Sequence, residues 1–101
     1  MYKEILNSLV EPIIFCDVEH VIVFMNAAAL ERHKDENLLG SSIFDCHNEN
    51  SNRIIKEIFS EMQNGLEEKK IVDNDERRVF MRAVRDDAGR LLGYYERFEY
   101  K

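Results

Sequence analysis

Two short apolar runs, residues 13–16 and 21–25, are separated by a polar break and followed at once by Asn26 and three alanines. Runs of this length rich in Ile, Val and Phe suit strands rather than helices. Pro12 fits the first residue of a strand, where a missing N–H costs no ladder hydrogen bond. Asp17 closes the first run with a turn-forming side chain. Asn26 can accept hydrogen bonds from the free N–H groups of a helix's first turn. The economical reading is strand, tight reversal, strand, then a helix capped by Asn26.

The remaining pattern extends this order. Tyr2, Ile5, Leu6 and Leu9 fall at i, i+3, i+4 and i+7, which predicts a short amphipathic helix over residues 2–9. Two turns do not hold in water unaided, so the apolar stripe docks either on this domain's own sheet or on the same helix of a second copy. Residues 27–33 continue from Asn26 as a helix, and residues 34–39 form a polar loop or single turn ending at Gly40. Ile54, Ile55, Ile58, Phe59 and Met62 recur at helical spacing opposite Arg53, Lys56, Glu57 and Glu61. Asn48, Asn50 and Ser51 are cap candidates for that helix, and Asn64 with Gly65 supplies its stop. Beyond Gly65 the period changes to two. Residues 66–72 read as a solvent-lapped strand, and residues 77–85 as a strand with Val79, Met81 and Ala83 on one face. Residues 91–99 form the last strand, after turns at 73–76 and 86–89.

Strands split by helices, with the last three joined by hairpins, predict an α+β fold: a five-stranded antiparallel sheet with helices packed across one face. At 101 residues, 45% hydrophobic and 34% charged, the chain suits one globular domain. An N-terminal helix occupies residues 1–10 and the core residues 12–100. The formal net charge of -6 is a poor match for phosphate backbones or anionic lipid, which argues against nucleic-acid or membrane binding. Neither apolar run could span a bilayer, and residues 1–4 lead into charge rather than a signal-peptide core. The expected location is cytoplasmic.

Asp17, Asn26, Ala28, Gly40 and the strand carrying Gly93 and Tyr94, set in this order of elements, resemble a PAS domain along nearly the whole chain. The segment 40–47 also resembles PAS modules that bacteria attach to hemerythrin-like domains. The resemblance implies a signal-sensing module that holds a small ligand between the inner sheet face and the helices and signals to a protein partner or effector domain. The N-terminal amphipathic helix and the aromatic C-terminal strand predict a homodimer. With no hydrolase or transferase constellation in the sequence, no enzyme is expected. By strand parity and helix face, the expected pocket lining is Ile14, Val23, Met25, Ile43, Phe44, Ile55, Phe59, Met81 and Tyr95. The alternatives are a cofactor-free interaction module and a small enzyme on a similar fold, for which Asp17 is the carboxylate to watch.

Cofactor chemistry narrows to a few side chains. In the flavin photosensors that PAS domains include, the reactive cysteine lies three residues after a glycine matching Gly40. Ile43 stands there, so flavin is disfavoured. Haem is the first cofactor to test: His47 could supply an axial imidazole and Cys46 an alternative soft ligand. The competing role for His47 is a polar cap, with Asp45, Asn48 and Ser51, on the following helix. Adjacent Cys46 and His47 diverge, and His20 and His33 lie elsewhere, so no metal site is expected. Cys16 ends an apolar strand and reads as a buried hydrophobe, whereas Cys46 beside a histidine and a helix start could be redox-active. Aromatic and charged residues alternate from Tyr94 to Tyr100, which suits either an interface or a strand with one wet face.

Overall fold

The computed structural model describes residues 1–101, and its elements follow the expected order. Helix α1 (Tyr2–Asn7) precedes strands β1 (Ile13–Asp17) and β2 (Ile22–Met25). Helix α2 (Ala27–Arg32), a 3-10 turn (Ile43–Cys46) and helix α3 (Glu49–Gln63) come next. Strands β3 (Glu68–Asp73), β4 (Arg77–Arg85) and β5 (Leu91–Tyr100) complete the chain. The sheet order is β2-β1-β5-β4-β3 with every pair antiparallel, so β5 is the central strand although it comes last in sequence.

Helices α2 and α3 and the β1–β2 reversal start where a side chain supplies the missing partners. Asn26 Oδ1 accepts from Ala29 N at 3.0 Å to cap α2, and Asn48 Oδ1 accepts from Ser51 N at 2.8 Å to cap α3. Asp17 Oδ1 accepts from Glu19 N and Val21 N, holding the β1–β2 reversal. Within that reversal His20 takes a positive φ of 66°, a conformation His tolerates better than most residues. On α3, Ile55, Ile58 and Met62 are buried against the sheet's inner face. Exchanging any of them for Ala removes a transfer term and leaves a void, at a cost of about 2–5 kcal/mol.

Helix α1 is shorter than its periodicity suggests. Ser8 ends it, with its hydroxyl donating to Ile5 O at 2.6 Å. No α1 residue is buried; the helix is tied to the body of its own domain by backbone and amide groups instead. Asn26 Nδ2 donates to Leu6 O, and Asn7 Oδ1 accepts from Ala27 N at 2.8 Å.

Two expected pocket residues face away from the core. The β1–β2 ladder shifts register so that Phe15 pairs with Phe24 and Cys16 with Ile22, leaving Val23 unopposed. That extra residue turns both Ile22 and Met25 inward and leaves Val23 48% exposed. On β5 it is Tyr94 that points in, paired with Cys16 and Ala83, while Tyr95 pairs with Phe15 and Arg82 on the outer side. Two adjacent tyrosines left the parity ambiguous, and the register with both neighbours decides it.

Gly93 sits where β5 passes closest to β1. A Cβ there would collide with the backbone oxygen of Cys16 and approach Phe15 to 2.8 Å, and φ is +157°. Gly89, at φ +83° in the β4–β5 turn, has open space around it. Gly93→Ala should therefore lower stability by about 3 kcal/mol, from strain plus overpacking, and Gly89→Ala by only about 1 kcal/mol. Urea midpoints check this; equal losses at the two positions would refute the close approach.

Candidate functional site

The inner face of the sheet is divided in two. At one end four rings close together: His20 lies 4.7 Å from Phe44, 4.6 Å from Phe59 and 5.7 Å from Tyr94 between centroids. His20 Nδ1 and the Tyr94 hydroxyl are 2.8 Å apart. Burial lowers the pKa of His20 and raises that of Tyr94, so both are held neutral in this cluster. Cys16 belongs to the same region, and burial pushes its thiol up to about 12, which makes it an inert core residue.

At the other end the packing leaves a cavity of about 430 Å³ between the sheet, the end of α2, the 3-10 turn and α3. Twelve of its 19 lining residues are hydrophobic, within the size and polarity range of small-molecule sites. Of the residues expected from sequence, Ile14, Ile43, Cys46, His47, Ile55 and Met81 line it. Phe44 and Phe59 pack in the aromatic cluster instead, and Met25 lies in the core beside it. Asp17 is occupied by the β1–β2 reversal.

The cavity's most unusual wall residue escaped the sequence reading. Glu96 sits on the inner face of the central strand, directly between Ile14 of β1 and Met81 of β4. This half-buried carboxyl is flanked by two buried apolar residues, and desolvation raises its pKa above 4.5. The positive charge that His47 and His33 can carry opposes that rise in part. The signal was available: Tyr94, Glu96 and Phe98 share one strand face, so an acid stands between two inward aromatics.

His47 does not cap α3, since Asn48 does so alone. Its Nδ1 donates to Ile43 O at 2.9 Å, which leaves Nε2 as the ring nitrogen without a protein partner. That arrangement fits an axial ligand or a hydrogen-bond acceptor for a bound molecule. Cys46 Sγ donates to Ile43 O at 3.2 Å, and burial raises its pKa, which disfavours the thiolate needed for redox sensing or soft ligation. His20, His33 and His47 occupy three separate settings, and no three His, Cys, Asp or Glu side chains converge as metal ligands.

The raised pKa of Glu96 has a signed consequence for stability. The folded state holds this proton more tightly than the unfolded chain, so the stabilisation is complete below about pH 4.5 and is lost as pH rises through the folded value. Glu96→Gln should raise Tm relative to the parent at pH 7 and leave it unchanged near pH 4. Thermal unfolding at the two pH values checks this; equal Tm values at pH 7 would contradict a desolvated carboxyl.

The sequence model of a family described as PAS domain matches residues 10–96. The chain is also similar in structure to the C-terminal domain of a Streptococcus mutans protein, with a TM-score of 0.83 at 21% identity over 98% of this chain and 81% of that one. A PAS domain from Colwellia psychrerythraea gives 0.67 at 13% identity over 99% and 93%. A sensory box sensor histidine kinase from Vibrio cholerae gives 0.69 at 13% identity over 99% and 88%. At these identities the likeness is one of fold. No curated protein matches the chain. No helix is long and apolar enough to cross a membrane.

Proposed function

This chain belongs to the PAS domain family of sensory modules, and on that premise we propose that its cavity is a ligand-sensing site whose occupancy is read out through α2 and α1 by a protein partner. The observation that carries the reading is the cavity of about 430 Å³, with an otherwise unpartnered carboxyl inside an apolar wall. Packing that served cohesion alone has no use for Glu96 there, because a partly desolvated acid without a partner does not stabilise the fold. A bound molecule gives it one.

The readout follows from how α2 is held. Its last residue, Arg32, lines the cavity, and its cap, Asn26, donates to Leu6 O at the other end. Shifting α2 against the sheet therefore moves α1 through hydrogen bonds rather than through loose apolar packing. The exposed stripe of α1, with Tyr2 at 83% and Ile5 at 52% exposure, suits contact with a second copy. A homodimer in which the two α1 helices meet would carry the change between subunits.

Small enzymes place a raised-pKa carboxyl in a similar setting, but the family and the tie between cavity and α1 favour sensing. Haem is the cofactor with a specific structural argument, the free Nε2 of His47 at the cavity wall. An absorption spectrum before and after haem addition, with native mass spectrometry, tests the site. A Soret band lost in His47→Ala identifies haem, and a bound small molecule without that band identifies a ligand of another class. A featureless spectrum and no binder of any class would reject the sensing site in favour of a bare interaction module. For the dimer, Ile5→Glu with Leu9→Glu should give a monomeric mass by light scattering, and an unchanged oligomer would exclude α1 as the contact.

A further inference from the structure

Arginine pairing separates the cavity from the rest of the surface. Arg53, Arg78, Arg82, Arg85, Arg90 and Arg97 each lie within 4.0 Å of a carboxylate. In a chain with 20 acidic residues and 14 basic ones, an unpaired arginine is the exception. The two exceptions, Arg32 and Arg77, both line the cavity. Arg32 comes from the end of α2 and Arg77 from the start of β4, and they share one neighbour. Their guanidinium carbons lie 5.4 Å and 5.7 Å from the Phe98 ring centroid. Arg77 Nε is buried with no hydrogen-bond partner, an orphan donor at the cavity wall.

Arg32 is exposed and Arg77 half-buried, with only its Nε shut off from solvent. A guanidinium keeps its charge at any accessible pH, so the pair presents two uncompensated positive charges at the cavity that an anion can match. The acids nearby do not supply one. Glu36 also lines the cavity but lies 3.2 Å from His33 Nδ1, and Glu96 makes no ion pair with either arginine. Apart from His47 and Ser51, the rest of the wall is apolar, including Ile14, Ile55, Val79 and Met81.

We propose that the cavity binds an amphipathic carboxylate, its acid group held between Arg32 and Arg77 beside Phe98 and its apolar body laid along Ile14, Val79 and Met81 towards Glu96. The proposal rests on the reading of the cavity as the sensing site and adds the class of ligand. A carboxylate accepts two parallel N–H bonds from a guanidinium, which satisfies the orphan donor of Arg77 and retains geometric selectivity. A cationic ligand would meet two fixed positive charges, and a bare inorganic anion would leave the apolar wall uncovered. Haem, with carboxylates on an apolar body, falls within the class, and its visible spectrum distinguishes it from a colourless acid.

The test compares octanoate with octanamide, which keeps the shape and removes the charge, by calorimetry and amide chemical shifts on the full chain. Octanoate should bind at least tenfold more tightly and shift the amides of Ile14, Val79 and Met81. Arg77→Gln and Arg32→Gln should each remove most of that preference while leaving octanamide binding unchanged, a readout that misfolding would not give. Equal binding of acid and amide overturns the anion site and leaves the sensing cavity standing. Tighter binding of octylamine, or equal binding of inorganic phosphate, overturns the carboxylate class. Failure of every octyl probe to bind, with no shift at those amides, overturns both this proposal and the cavity reading beneath it.

Discussion

The fold turns on the side chain of Asn26, which is fully buried and uses its whole hydrogen-bonding capacity. Oδ1 accepts from Ile13 N at 2.9 Å and Ala29 N at 3.0 Å; Nδ2 donates to Leu6 O and Glu11 O, both at 3.0 Å. One amide thereby joins α1, the link into β1, the first residue of β1 and the start of α2. Each of these backbone groups would otherwise need water or stand unpaired, and an unpaired buried group costs about 1–3 kcal/mol. The position of α2 follows from this joint, and with it the placing of Arg32 and His33 at the cavity. Apolar packing could not set it so narrowly, since α2 buries only Ala29.

A second constraint acts on the central strand. β5 is paired with β4 along its length and with β1 over residues 93–97, so its inward residues are committed to whatever lies between sheet and helices. Tyr94 and Phe98 meet that demand as apolar bodies. Glu96 between them does not, and the space in front of it stays open. The aromatic cluster of His20, Phe44, Phe59 and Tyr94 fills the other end of the inner face with neutral, packed rings. The sheet thus has a closely packed aromatic end and an open end lined by ionisable groups, and the proposed sensing site lies at the second.

Much of the architecture was legible from local signals. Asp17, Asn26 and Asn48 act where their side-chain chemistry suggests, and the switch from helical to twofold spacing after Gly65 marks the last three strands. The parity of a residue near a bulge was not legible, because it depends on which pairs form across the ladder. Val23 and Tyr95 were placed inward for that reason, and the register shift at Phe15 and Cys16 and the pairing of Tyr94 with Cys16 reverse them. The arginines at the cavity were equally hidden. Arg77 looks like any charged strand residue until the ion pairs of the other arginines are known, and these depend on contacts between distant segments such as Arg97 with Glu68. Sequence spacing reports periodicity; it carries no account of which charges remain without partners.

The central claim is that the Asn26 amide, with the Asn7–Ala27 hydrogen bond beside it, couples the cavity wall to the N-terminal helix. Asn26→Asp tests it most directly, because aspartate keeps the acceptor that caps α2 and removes the two donors that hold Leu6 O and Glu11 O. Amide hydrogen exchange and backbone chemical shifts in the variant should show α1 released while the amides of Leu30 and His33 stay protected. If α1 keeps its parent shifts and protection, Asn26 is only a helix cap, and the route from cavity to partner does not run through it.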